Sequence, residues 1–267
     1  MAVLAAAGLH EQHEQHGATP AEARCVNPQV PTTLPTAKLG AVVPAVLLRA
    51  ITAVCPQVQA AVGGGRGAGG YPNVAVGWIF PQPNRLPQVG GKPTILYVGG
   101  EFCPYCAAER WALLNALTRF GSFRGITYMR SAEDDGDIAT VSFAHATYTS
   151  PYLSAVLREV WDRDHNHFQT LSAQDRALWT TFGDRRVPYI DINGLYRVSA
   201  SDEDVDAIDN LSWSAIARGF SDPHSAVANW LLGKADALTA ALCTQTGNQP
   251  TTTCQAPEIQ TLEPLLW

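Results

Sequence analysis

The chain has 267 residues, 46% hydrophobic and 16% charged, enough for one large domain or two small ones around a real core. Its net charge is −6 with no long Lys/Arg run, and only 3 of the 18 basic residues are Lys, which argues against nucleic-acid binding and against a polybasic membrane patch. The longest apolar stretch, 41–54, is interrupted by Pro44 and Arg49 and falls short of the about 20 residues that a bilayer span requires.

Residues 1–24 read as a flexible tail. Met1–Leu9 is small and apolar without a basic start, either a disordered end or the remnant of a signal or anchor. His10, His13 and His16 are spaced three apart, and a polar repeat of this kind is expected to be solvated rather than metal-bound. Residues 25–91 read as an irregular, partly helical extension. Pro44 suits a first helical turn, with Leu47, Leu48, Ile51 and Val54 on one face, and Pro56 opens a second short helix. Gly65, Gly67 and Gly70 formally satisfy G-x-G-x-x-G. A helical pattern precedes them and Tyr71-Pro72 follows, whereas a dinucleotide site needs a strand before and a helix after, so a loop is expected. The Pro-rich run 81–87 reads as a connector.

From Lys92 the pattern sharpens. Ile95–Val98 is a short apolar run, as in a buried strand, and Gly99 and Gly100 end it before Cys103-Pro104-Tyr105-Cys106. Cys106, Arg110, Leu113, Leu114 and Leu117 then recur at helical spacing up to Gly121. The C-x-x-C therefore sits where a buried strand meets a helix N-terminus. Free N–H groups and the helix dipole there stabilise a thiolate at Cys103, and Cys106, one turn on, can resolve a mixed disulfide. Pro104 suits the first turn, where its missing N–H removes no bond. A structural disulfide and half of a zinc site are the alternatives. With no second C-x-x-C or spaced His pair nearby, a dithiol redox centre is the preferred reading. Arg110 falls on the apolar stripe, where it either pairs with a carboxylate beneath the site or snorkels to the surface.

Between Cys106 and Pro188 lie 81 residues. Within them 126–130 is expected as the second central strand and 140–149 with 152–161 as an added hairpin. Residues 172–182 are expected as a helix capped by Ser172, the whole forming an insertion at about 134–184. His145 is expected to be packed or hydrogen-bonded. Asp162–His167 has metal-ligand residue types but reads as a solvated loop. Pro188 then opens a strand that ends in an Asn193-Gly194 turn, with 195–199 as its hairpin partner. Coming after a C-x-x-C helix, Pro188 resembles the cis-proline of the thioredoxin superfamily, so a cis Val187–Pro188 bond facing the motif is expected. Asp222 and Pro223 are suited to start a C-terminal helix with Val227, Trp230, Leu231, Leu238, Ala241 and Leu242 on one buried face and Gly247 as its stop. A Cys243–Cys254 bridge would pin the tail to that helix, and Cys25 and Cys55 form a second candidate pair.

The run from Lys92 through Phe123, including CPYCAAERW, resembles an uncharacterised bacterial and archaeal thioredoxin-like family catalogued as a domain of unknown function. The likeness extends through Ser142–Tyr152, Val187–Asp191, Leu211–Trp213 and Ala240–Gly247, or about residues 40–257. The resemblance implies an α/β thioredoxin-like fold with an N-terminal extension, a central insertion and a long C-terminal helix, the core domain occupying 92–267. It also implies thiol–disulfide chemistry and an extracytoplasmic or envelope setting, a cytoplasmic one being the alternative. The expected function is thiol–disulfide oxidoreduction on protein substrates, with a further redox partner and no cofactor. Cys103 is the nucleophile, Cys106 the resolving thiol, and Tyr105, Val187 and Pro188 the substrate-docking edge. Alternatives are a binding or holdase-like envelope module with an inert C-x-x-C, and a glutathione-dependent glutaredoxin-like enzyme.

Overall fold

Alternation along one strand organises the molecule. β2 (Thr94–Gly100) contributes Ile95 and Tyr97 to one apolar cluster and Leu96 and Val98 to another, all four buried. A strand buried on both faces belongs in the middle of a sheet. The computed structural model describes residues 38–44, 48, 79–82, 91–198, 200, 202–222 and 224–266, of which 202 and 203 in backbone only. Cys25, Cys55, the His10–His16 repeat, the 63–70 glycine run, Pro56 and Pro223 lie outside the described residues.

The main sheet has five strands in the order β1-β9-β8-β2-β7. β7 (Ser154–Trp161) runs parallel to β2, in register from Thr94 opposite Ser154 to Gly99 opposite Glu159. β8 (Tyr189–Ile192) is antiparallel to β2, β9 (Tyr196–Val198) to β8, and β1 (Ile79–Pro81) to β9. The β8–β9 turn carries positive φ at both Asn193 (56°) and Gly194 (67°), which only a residue pair of this kind accepts readily. Helix α1 (Pro104–Thr118) packs on the Ile95/Tyr97 side. Helix α2 (Ala173–Phe182) covers the other side, setting Leu178 and Trp179 against Leu96, Val98 and Tyr189. Ser172 Oγ caps α2 by accepting from the Asp175 N–H at 3.1 Å. This is an α/β architecture consistent with the thioredoxin-like fold that the resemblance implies. Among the described residues no helix is long and apolar enough to cross a membrane.

The middle of the chain differs from the expectation. The strand at 126–130 is not central: β4 (Thr127–Arg130) pairs with β5 (Ala139–Ser142) in a small sheet of its own. Nor do 140–149 and 152–161 form a hairpin. β6 (Thr147–Thr149) pairs with β3 (Ser122–Arg124), and β7 is the second central strand. The expected insertion at 134–184 thus contains a strand of the main sheet. Period-two alternation identifies a strand but not its partner. Here the choice is made by packing. Leu157 and Val160 feed the two clusters that flank β2, while β5 is tied to α1 by Trp111 Nε1 donating to the Ala139 carbonyl at 3.1 Å and Thr140 Oγ1 to the Ala107 carbonyl at 2.8 Å.

The outer edge of β7 is occupied from Leu157 to Val160. The Val160 and Glu159 carbonyls accept from the Phe168 and Gln169 N–H groups at 2.9 and 3.0 Å, and the Glu159 N–H donates to Gln169 Oε1 at 2.8 Å. Arg158 Nη1 donates to the Leu157 carbonyl at 2.9 Å.

Short helices α3 (Asp202–Asp206) and α4 (Trp213–Gly219) lead to the C-terminal helix. Its start is later than expected. Asp222 Oδ1 accepts from the His224 N–H in a preceding turn, and Ser225 Oγ takes the capping role toward the Ala228 N–H at 3.0 Å. A π-helical turn, Ala228–Leu232, precedes α5 (Gly233–Gln245). The single buried face is also corrected. Every residue from Gly233 to Cys243 is buried, because α5 is covered by α1 on one side and by α7 (Pro257–Leu262) on another. That burial takes in Lys234, which pairs with Glu109 and, at 2.7 Å, with Asp204, and Asp236, which pairs with Arg119. Gly247, at φ +63°, ends α5 as expected.

Cys243 and Cys254 form a disulfide, with Cα atoms 5.5 Å apart, joining α5 to α6 (Thr251–Cys254). Replacing both cysteines with serine is expected to cost up to about 3 kcal/mol, the chain-entropy value for so short a loop. Denaturant unfolding of the double variant measures it, and a loss indistinguishable from zero would show the tail to be held by packing alone.

Candidate functional site

Cys103 is the N-cap of α1, and Pro104 fills the first turn behind it. Its Sγ accepts from the Cys106 N–H at 3.3 Å, while the Ala107 N–H donates to its carbonyl at 3.0 Å, so the first helical turn closes around this sulfur. Cys106 has no exposed surface and Cys103 retains 4%. The Cys106 Sγ accepts from the Gly100 N–H at 3.4 Å. The Val187–Pro188 bond is cis, and the Cys103 thiol points at the Val187 carbonyl, 3.8 Å away. Cys103, Cys106, Tyr105, Val187 and Pro188, far apart in sequence, are thus brought to one place as expected. Cys243 and Cys254 belong to the C-terminal bridge.

The two thiols are pushed in opposite directions. The Cys106 side chain and the Cys106 and Tyr105 N–H groups, helped by the Arg110 charge, hold Cys103 below the usual thiol range against the effect of its burial. Burial, reinforced by the proximity of Cys103, pushes Cys106 well up. Alkylation at neutral pH is therefore expected to label Cys103 first and Cys106 only slowly, as followed by peptide mass mapping. Preferential labelling of Cys106 would remove the nucleophile assignment.

Beneath the sulfurs lies a buried charged floor. Arg110, fully buried, donates from Nε and Nη2 to the Glu159 carboxylate at 2.8 and 3.1 Å, and from Nη2 to the Gly100 carbonyl at 2.8 Å. Of the two options for Arg110, the carboxylate is the one realised. The Tyr97 hydroxyl, which burial pushes well above its usual value, also lies at this level. A Cβ on Gly99 would collide with that hydroxyl and with Glu159, so the close approach of the floor to β2 requires glycine there. Glu159 went unread in the sequence. The available signal is an acidic residue inside the apolar alternation of 154–161, a segment whose pattern suggests a hairpin strand.

Phe102 stacks on His165 at 4.1 Å and meets Trp161 edge-on at 6.1 Å. In the 162–167 loop, Asp162 Oδ1 accepts from the Asp164 and Asn166 N–H groups, a self-capped turn in line with the solvated-loop reading. Asp134, Asp135 and His165 bring their ligand atoms within 4.8 Å of one another at the surface. His145 is not packed as expected. It lies exposed on a turn, its ring edge toward Phe168 at 6.2 Å.

A groove of about 620 Å³ begins at Tyr105 and Pro188 and extends past Phe182 and Arg186 to Arg197 and Phe80. No curated protein and no solved structure matches the chain. A family model described as a domain of unknown function, DUF929, matches residues 84–175, a span that contains Cys103, Cys106, Arg110 and Glu159 and stops short of Val187–Pro188.

Proposed function

We propose that the protein is a thiol–disulfide oxidoreductase acting on protein thiols and disulfides through Cys103 and Cys106. The observation that carries this reading is the capped, acidified Cys103 sulfur at a helix N-terminus, facing the carbonyl before cis Pro188 and backed by a buried, less acidic Cys106. In the reducing direction, the Cys103 thiolate attacks one sulfur of a substrate disulfide. The substrate S–S bond breaks, one substrate thiolate leaves with the electron pair, and a Cys103–substrate disulfide forms. Cys106 then loses its proton and attacks the Cys103 sulfur, releasing the second substrate thiolate and leaving a Cys103–Cys106 disulfide. The dithiol itself carries the two electrons, and oxidation of a substrate is the same sequence reversed. The Cys243–Cys254 bridge supports an oxidising, extracytoplasmic setting, since cytosolic thiols are kept reduced.

The test is a redox equilibrium in graded glutathione and dithiothreitol buffers, with the state of the Cys103–Cys106 peptide read by mass spectrometry. The expected potential lies between about −270 and −120 mV, the range of redox-active dithiols, and a value below about −300 mV would return the motif to an inert staple.

A further inference from the structure

We infer that the groove beside Cys103 selects a polypeptide segment with a carboxylate side chain close to its reacting cysteine. This rests on the exchange activity proposed above and names the substrate class it serves. The groove's volume of about 620 Å³ is in the range of specific ligand sites, and its walls are largely apolar, with Phe80, Tyr105 and Phe182 contributing rings. Two arginines line it, Arg186 from the turn before Pro188 and Arg197 from β9. Among the described residues Asp184 is the one carboxylate in its lining. Arg186 and Asp184 are both exposed and approach only to 3.6 Å, a surface pair that water largely screens. Arg197 is exposed as well but has two positioning contacts. Its Nη1 donates to the Phe182 carbonyl at 3.2 Å and its guanidinium lies over the Phe80 ring at 5.6 Å. One of its five N–H donors is used in that bond. Among the described residues the groove's lining thus carries a positive balance on a chain whose net charge is −6, a local charge complementary to an acidic ligand. Aromatic walls with one tethered cation, Arg197, and a second at the exposed rim, Arg186, suit an extended segment in which apolar and acidic side chains flank the cysteine. Glutathione offers the same carboxylate chemistry in a smaller molecule, and the test separates the two.

The probes are cysteine peptides of one sequence with Asp, Asn or Lys near the cysteine, each carried as a mixed disulfide with thionitrobenzoate, together with the corresponding glutathione mixed disulfide. Attack by Cys103 forms the Cys103–peptide bond, breaks the bond to thionitrobenzoate and releases that coloured thiolate with the electron pair. Cys106 then displaces the peptide thiolate. Rates for the reduced full-length protein, divided by those for free dithiothreitol, remove intrinsic reactivity. The Asp peptide is expected to react about three- to tenfold faster than the Lys peptide, a lead that shrinks at high salt. Arg197→Gln, and independently Arg186→Gln at an exposed position, are expected to bring that ratio toward one. Equal Asp and Lys rates in the native protein, or a ratio indifferent to both substitutions, would overturn the acidic preference while leaving exchange intact. A glutathione disulfide that outpaces every peptide and loses its lead in Arg197→Gln would overturn the polypeptide occupant. Absence of release from all probes would overturn the exchange activity itself.

Discussion

Arg110→Met is expected to lower the unfolding free energy by about 3–5 kcal/mol, because it leaves the Glu159 carboxylate buried without its guanidinium. The Gly100 carbonyl loses a donor in the same change. Because the Arg110 charge is among the influences that lower the Cys103 thiol, the pH midpoint of Cys103 alkylation should also move upward. The double variant Arg110→Met/Glu159→Leu separates the two effects. Removing both charges restores much of the stability, as apolar replacement of a buried pair often does, but leaves the thiol without its cation. A stability loss below about 1 kcal/mol in the single variant would mean that the pair behaves as a solvated one.

Lys234→Met should bring a loss of similar size that depends on pH. Lys234 stands between Glu109 and Asp204, all three buried, on α5, α1 and α3. Burial pushes Glu109 up to about 7 against the opposing pull of Lys234, and burial likewise raises Asp236 to about 6. Their ordinary values are 4.5 and 3.8. Between the ordinary and raised values the folded chain holds more protons than the unfolded one, so these groups stabilise most below about pH 4 and the contribution is lost as pH rises through 6 to 7. In the native protein the Glu109 contribution alone is on the order of 3 kcal/mol across that interval. Lys234→Met is expected to cost about 3–5 kcal/mol at pH 8 and clearly less at pH 5, where Glu109 carries its own proton. Urea unfolding at the two pH values measures it, and equal losses would contradict a charged Glu109 at pH 8.

What the sequence disclosed follows the range of the forces involved. The C-x-x-C at a strand–helix junction, the Ser172 cap, the Asn193-Gly194 turn and the Gly247 stop are set by residues adjacent in the chain, and each was legible. The Val187–Pro188 partnership with Cys103 was legible through the resemblance. Strand pairing was not. The partner of β7 is chosen by Leu157 and Val160 meeting side chains from β2, α1 and α2, and no local pattern records that choice. The same limit hid Glu159 and the Glu109–Lys234–Asp204 group, whose members come from different elements. Lys234 left a trace, as a lysine in a run of apolar residues with a sparing use of lysine elsewhere. The periodicity of α5 suggested a single face because Lys234, Asp236 and Thr239 interrupt it. In the structure these polar groups are buried too, each bonded to a neighbouring element or to its own helix.

The occupied edge of β7 bears on how another chain can join this one. A bare outer strand is a template on which foreign backbone adds by hydrogen bonding, whether in recruitment or in aggregation. Along β7 the carbonyls of Leu157, Glu159 and Val160 and the N–H of Glu159 are already taken by Arg158, Gln169 and Phe168 of the same chain. Sheet extension on that flank would have to displace four internal bonds, one of them from the charged Arg158 side chain. From Leu157 to Val160 this flank is closed to backbone recruitment, and a segment visiting that stretch is left to engage side chains instead.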